Sequence, residues 1–133
     1  MRRLGIYGAV VLAVISVALA AAAAGRDFHR ASASSSAQLQ SSAKEQMYIG
    51  RDDKIRAGEK LFRRHCVECH GADGRGIGKA ANLRAPEVQT KSPAELVEYL
   101  RNGNLWRGMP SWAGMPEERR WQIVAYLKTL RAQ

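Results

Sequence analysis

The chain has two cysteines, three positions apart, with a histidine directly after the second: Cys66-Val67-Glu68-Cys69-His70. That pairing limits what the rest can fold into. Of the 133 residues, the first 25 read as a targeting segment, and 26–47 offer little to bury. About 85 residues remain, a length at which burial of apolar surface leaves a domain marginal. Domains of this size are usually fastened by disulfides, a metal or a bound group. Two cysteines so close together cannot form a disulfide framework, so the fastening falls to a bound group. The length also excludes a TIM barrel or a two-lobed dinucleotide-binding enzyme.

The N-terminus reads as an export signal. Arg2 and Arg3 form a positive flank, Leu4 to Leu19 is apolar or small apart from Ser16, and Ala20 to Ala24 supplies small residues of the cleavage type. The stretch from Leu4 to Gly25 covers 22 residues, long enough to cross a bilayer. Its alanine-rich end suits cleavage and its length suits retention, so residues 1–25 are expected as a signal peptide or an N-terminal membrane anchor. Either outcome puts the remainder outside the cytoplasm, in a periplasm, soluble or anchored by residues 4–25. Residues 26–47, rich in Ser, Ala and Gln, are expected as a flexible linker with a reach of about 25 Å. The domain is expected over 48–133.

Lys and Arg outnumber Asp and Glu by 21 to 12, a net charge of +9. Within 48–133 the balance is 16 to 10. Such a surface attracts nucleic acid, anionic membrane or acidic proteins alike. Export argues against nucleic acid, and no run of five or six consecutive basic residues suggests a binding tail.

The domain reads as all-α, with three to four short helices and long loops. Asp52 and Asp53 can cap and charge-complement a first helix running to about Arg64, with Ile55, Gly58, Leu61, Phe62 and His65 at helical spacings. The stretch from Gly71 to Gly78 has four glycines in eight residues and reads as loop. It lacks the Gly-Lys-Ser/Thr ending of a phosphate-binding loop. Ser92-Pro93-Ala94-Glu95 is a helix start with a capping box, and Asn102-Gly103 ends that helix. A last helix from near Pro116 carries Trp121, Ile123, Val124, Tyr126, Leu127 and Leu130 toward the C-terminus.

C-x-x-C-H is the attachment motif of a c-type haem. Two thiols add across the two vinyl groups of the haem, and Cys66 and Cys69 are spaced to match them. His70 is carried to the iron as a nitrogen ligand. Two competing chemistries use similar residues. A thioredoxin-like C-x-x-C would follow a strand within a βαβ unit, which this helical pattern lacks. A zinc site would draw on Cys66, Cys69 and two of His29, His65 and His70, of which His29 lies in the linker and His65 adjoins Cys66.

A methionine thioether in the sixth position favours ferrous iron and raises the potential. Met109 stands in Arg107-Gly108-Met109-Pro110-Ser111-Trp112, where Gly108 allows close approach and Pro110 stiffens the loop. Met109 is the candidate, Met115 the second choice and His65 a weak third. Trp106 and Trp112 flank this loop, where one can pack on the haem, and Trp121 reads as core. Arg63, Arg64, Arg75, Lys79, Arg84 and Arg107 lie close in sequence to these segments, and can serve as a basic rim or as plain solvated surface.

From about Ile55 to Leu130 the chain resembles the small class I (cytochrome c-like) monohaem proteins. Gly58, Phe62, Cys66, Cys69 and His70 match that family's first helix and haem motif in order and spacing, and Ile123-Val124-Ala125-Tyr126-Leu127-Lys128 looks like its last helix. The resemblance implies that Gly58 lets the terminal helices cross closely, with Phe62 and Tyr126 at the contact. It also implies Met109 as the second axial ligand. One departure stands in Ala80-Ala81-Asn82-Leu83, where Ala81 occupies the place of a proline whose carbonyl accepts from the axial histidine's ring N–H. The carbonyl survives that change and the stiffness does not.

The function expected is one-electron transfer by a single covalent haem c with His70 and Met109 on the iron, and no enzymatic acid, base or nucleophile. The partners expected are redox proteins, acidic ones or a membrane oxidoreductase complex. The alternative is a membrane-tethered haem subunit of a respiratory or dehydrogenase complex. A third reading is a haem sensor or peroxidase with a labile sixth ligand.

Overall fold

The computed structural model describes residues 35–131. The expected signal or anchor at 1–25 lies outside the described residues. Among the described residues no helix is long and apolar enough to cross a membrane.

Six α-helices and no strand appear among the described residues, in agreement with the all-α reading. The first, α1, is helical over 35–48. Most of it lies in the span given to a flexible linker. The reason is local: Ala37, Gln38, Leu39, Gln40, Ala43, Lys44, Glu45, Gln46 and Met47 are all good helix formers. The compact unit that holds the motif begins at Ser41. Tyr48, at the end of α1, is buried and stacks on Trp121 at 5.9 Å between ring centroids. Lys44 donates to Glu117 across the same contact.

Helix α2 spans Asp52–His65. Its N-cap is Arg51, with no side-chain capping bond, so Asp52 and Asp53 act within the first turn. There they complement the positive end of the helix dipole, and Arg63, Arg64 and His65 complement the negative end. Its buried face, Gly58 and Phe62, packs on α6. Phe62 meets Tyr126 at 5.2 Å, tilted by 50°.

Two helices are single turns: α3, Val67–His70, and α4, Pro86–Gln89. Helix α5, Pro93–Asn102, forms the capping box read from Ser92 and Glu95, with both reciprocal bonds present. It buries Leu96, Val97 and Leu100. A 3-10 turn, Leu105–Arg107, follows. Helix α6, Glu117–Leu127, completes the core with Trp121, Ile123, Val124 and Leu127. It stops earlier than the apolar pattern suggests. The Lys128 ammonium turns to the carbonyls of Gln89 and Lys91, at 2.8 and 2.5 Å, and the Thr129 hydroxyl donates to the Tyr126 carbonyl at 2.7 Å.

Candidate haem-binding site

The last turn of α2 delivers the first cysteine. The Cys66 amide donates to the Phe62 carbonyl at 2.8 Å, and the chain then re-enters helix for one turn. Within that turn the amides of Cys69 and His70 both donate to the Cys66 carbonyl, at 3.2 and 2.9 Å. The two cysteines thus belong to one turn, with Cys66 at its N-cap. Both are free. Cys69 is exposed and Cys66 half-buried. Burial, and secondarily the neighbouring Cys69, pushes the Cys66 thiol up to about 11. In the folded chain it is therefore a neutral thiol at physiological pH.

The Gly-rich loop turns back on the motif. Gly76 and Ile77 donate their amides to the carbonyls of His70 and Cys69, each at 2.8 Å. The loop then places the Ala81 carbonyl 2.9 Å from Nδ1 of His70. A carbonyl accepts only, so the bond requires the proton on Nδ1 and leaves the lone pair on Nε2. The ring is thus held in the tautomer that can bind iron. The Ala81 carbonyl makes the bond that the family resemblance implies there.

Met109 sits on the loop between α5 and α6, half-buried against the same core that Cys66 and Leu83 touch. Asn104 and Met109 exchange both backbone hydrogen bonds, each at 2.9 Å. Gly103 packs under the next residue: a β-carbon there would stand 2.5 Å from the Pro110 carbonyl oxygen, and its φ of +67° also favours glycine. The Ser111 hydroxyl donates to the Arg101 carbonyl at 2.6 Å.

The other candidates fall elsewhere. The His65 ring packs edge-on against Trp112, 5.3 Å between centroids. Met115 lines a cavity of about 320 Å³ with His65, Ser111, Trp112 and Arg119. None of Cys66, Cys69, His70 and Met109 lines that cavity. Trp121 is core, with its indole N–H donating to Glu117 at 3.1 Å, whereas Trp106 is fully exposed. Arg63 and Arg75 form surface ion pairs with Glu59 and Asp73. Arg64, Lys79 and Arg107 are exposed.

Sequence reasoning missed two buried polar residues, Gln89 and Arg120. The Arg120 guanidinium donates to the carbonyls of Trp112 at 3.2 Å and Met115, fixing the chain that follows Met109. A signal was available: position 120 is in helical phase with Ile123, Val124 and Leu127.

These residues fit a haem c. The free thiols share one turn, and His70 presents Nε2. The side chains of Ile77, Tyr99, Leu105 and Trp106 are exposed on the segments beside the motif and before Met109. Such apolar exposure suits a large flat apolar group. The competing chemistries find less support. Among the described residues no three His, Cys, Asp or Glu side chains gather as a metal cluster, and no strand precedes the motif.

Comparison with known proteins agrees. No curated protein matches the chain. A solved structure, "KustC0563 c-type cytochrome", superimposes with a TM-score of 0.51 at 23% identity, over 56% of this chain and 98% of that one. At that identity the likeness is one of fold. A family model described as "Cytochrome C oxidase, cbb3-type, subunit III" matches residues 53–127, from the first turn of α2 to the last residue of α6. With the attachment motif and the crossed terminal helices both inside the match, the chain belongs to that family of c-type cytochromes.

Proposed function

We propose that this protein carries single electrons outside the cytoplasm, with one haem joined covalently through Cys66 and Cys69 and its iron held by His70 and Met109. The observation that carries the reading is the Nδ1 bond from His70 to Ala81, because it leaves the Nε2 lone pair available as a ligand. When bound, the haem supplies a one-electron ferrous/ferric couple.

The chain's own residues hold and tune. Ala81 orients the imidazole of His70. The Asn104 bridge and the Gly103 contact fix the backbone of Met109. A thioether ligand favours the ferrous state. His70 and Met109 would together hold the iron and leave it no position for a substrate, so the reading assigns no catalytic residue. Arg64, Lys79 and Arg107 give a basic surface for an acidic redox partner.

A second reading has support from the family description, which names an oxidase subunit. In it the same domain is tethered to the inner membrane by residues 4–25 and serves a fixed respiratory partner. Intact mass of the protein from cells able to mature c-type haem tests both. A chain shortened by about the first 25 residues plus one haem supports a soluble carrier. The full chain plus one haem, resisting release by high salt, supports the tethered subunit. A mass without haem overturns the proposal and returns the cysteine pair to thiol or zinc chemistry.

A further inference from the structure

Gln89 closes the one-turn helix α4 with only 9% of its surface exposed. Its Nε2 donates to two carbonyls, Leu83 at 2.7 Å and Leu127 at 3.0 Å. Carbonyls only accept, which fixes the amide's orientation. Its Oε1 is buried with no hydrogen-bond partner. Leaving a buried acceptor without a partner is unfavourable. Packing alone would be better served by an apolar side chain of the same size. The amide's two bonds therefore matter for what they hold.

They hold the strap that reaches His70. Leu83 lies two residues beyond Ala81, whose carbonyl accepts from Nδ1 of His70. On its near side the strap rests on the glycine loop. The Leu83 amide donates to the Gly74 carbonyl at 2.7 Å, and a β-carbon on Gly76 would stand 2.4 Å from the Ala80 oxygen. On its far side Gln89 ties it to the end of α6. The strap has alanine at 81 where proline would stiffen it, and the Gln89 link supplies that stiffness from outside.

We propose that Gln89 is a positioning residue for His70: by tying Leu83 to Leu127 it keeps the Ala81 carbonyl on the imidazole Nδ1–H, and so sets how strongly Nε2 donates. This rests on His70 being the iron ligand. A firmer Nδ1–H bond makes the imidazole more basic and favours ferric iron, and a looser one raises the potential.

The test uses the holoprotein and Gln89→Met, an unbranched replacement of similar volume that keeps the packing. The midpoint potential is measured, with solvent exchange of the His70 Nδ1 proton by NMR. The expected result is a higher potential and exchange faster by roughly fivefold, the scale of one hydrogen bond. Ala81→Pro in the Gln89→Met background should move both back toward the wild-type values without restoring the melting temperature. A lower melting temperature with unchanged potential and exchange overturns the proposal. If the His70 ring resonances show no haem-induced shift in the wild type, the ligand assignment has failed, and Gln89's role falls with it.

Discussion

Gly58 of α2 lies against the backbone of Gln122 in α6, so closely that a β-carbon on Gly58 would stand 1.9 Å from the Gln122 carbonyl oxygen. The obstacle is backbone, which cannot rotate aside. Gly58→Ala should therefore force the terminal helices apart and cost about 3 kcal/mol or more. Chemical denaturation of the holoprotein measures it. A loss near zero would mean that the helices do not cross here.

If Met109 holds the iron as proposed, Met109→Ala should leave a position on it open. The ferric protein should lose its long-wavelength sulfur-to-iron charge-transfer band, and the ferrous protein should bind carbon monoxide readily. Met115→Ala and His65→Ala should leave both properties unchanged, because Met115 lines the neighbouring cavity and His65 is packed on Trp112. An unchanged spectrum in Met109→Ala would remove Met109 from the iron. Ready carbon monoxide binding by the wild type would favour the sensor or peroxidase reading.

Tyr48→Ala should cost about 3 kcal/mol, as for a buried aromatic. The ring is buried and stacks on Trp121. Removing residues 1–47 should also lower the melting temperature, through loss of Lys44 from Glu117. A domain starting at Tyr48 with unchanged stability would show 41–47 to be dispensable.

Glu117 gives the contact a pH dependence. The Lys44 ammonium, then the Trp121 indole, hold its carboxyl below the usual glutamate value of 4.5. A depressed folded-state pKa contributes stability above the unfolded value, which is lost as pH falls through the folded one. Melting temperature should fall on acidification below about pH 4.5, and Glu117→Gln should reduce that slope. The change should be small, because Glu117 is half exposed and water screens the pair. An identical slope in Glu117→Gln would assign the acid sensitivity to other carboxylates.

Much of this was legible because the signals were local. The capping box at Ser92 and Glu95 needs only four consecutive residues, and it formed as read. The haem motif is five residues long. The Gly58, Phe62 and Tyr126 contact came from family likeness, since nothing local links residues so far apart. Residues 35–47 escaped because the serines around them read as linker, while the contacts that anchor the helix, Tyr48 on Trp121 and Lys44 on Glu117, are tertiary. Gln89 and Arg120 escaped as well. Each is buried to satisfy backbone carbonyls; Arg120 is in helical phase with the core and could have been read, whereas nothing in the sequence near Gln89 points to the carbonyls of Leu83 and Leu127.

The partner of α2 is α6, the last helix among the described residues. Gly58 and Phe62, just ahead of the cysteines, have nothing to cross until Gln122 and Tyr126 have been made and have folded back. With the helices crossed, Cys66 is half-buried and burial pushes its thiol up to about 11, which disfavours the reactive thiolate. On the reading that Cys66 is joined to a haem vinyl, the joining therefore has a deadline. Because α6 follows α2 in the chain, the thiol stays open until α6 packs on α2, and that packing ends the opportunity.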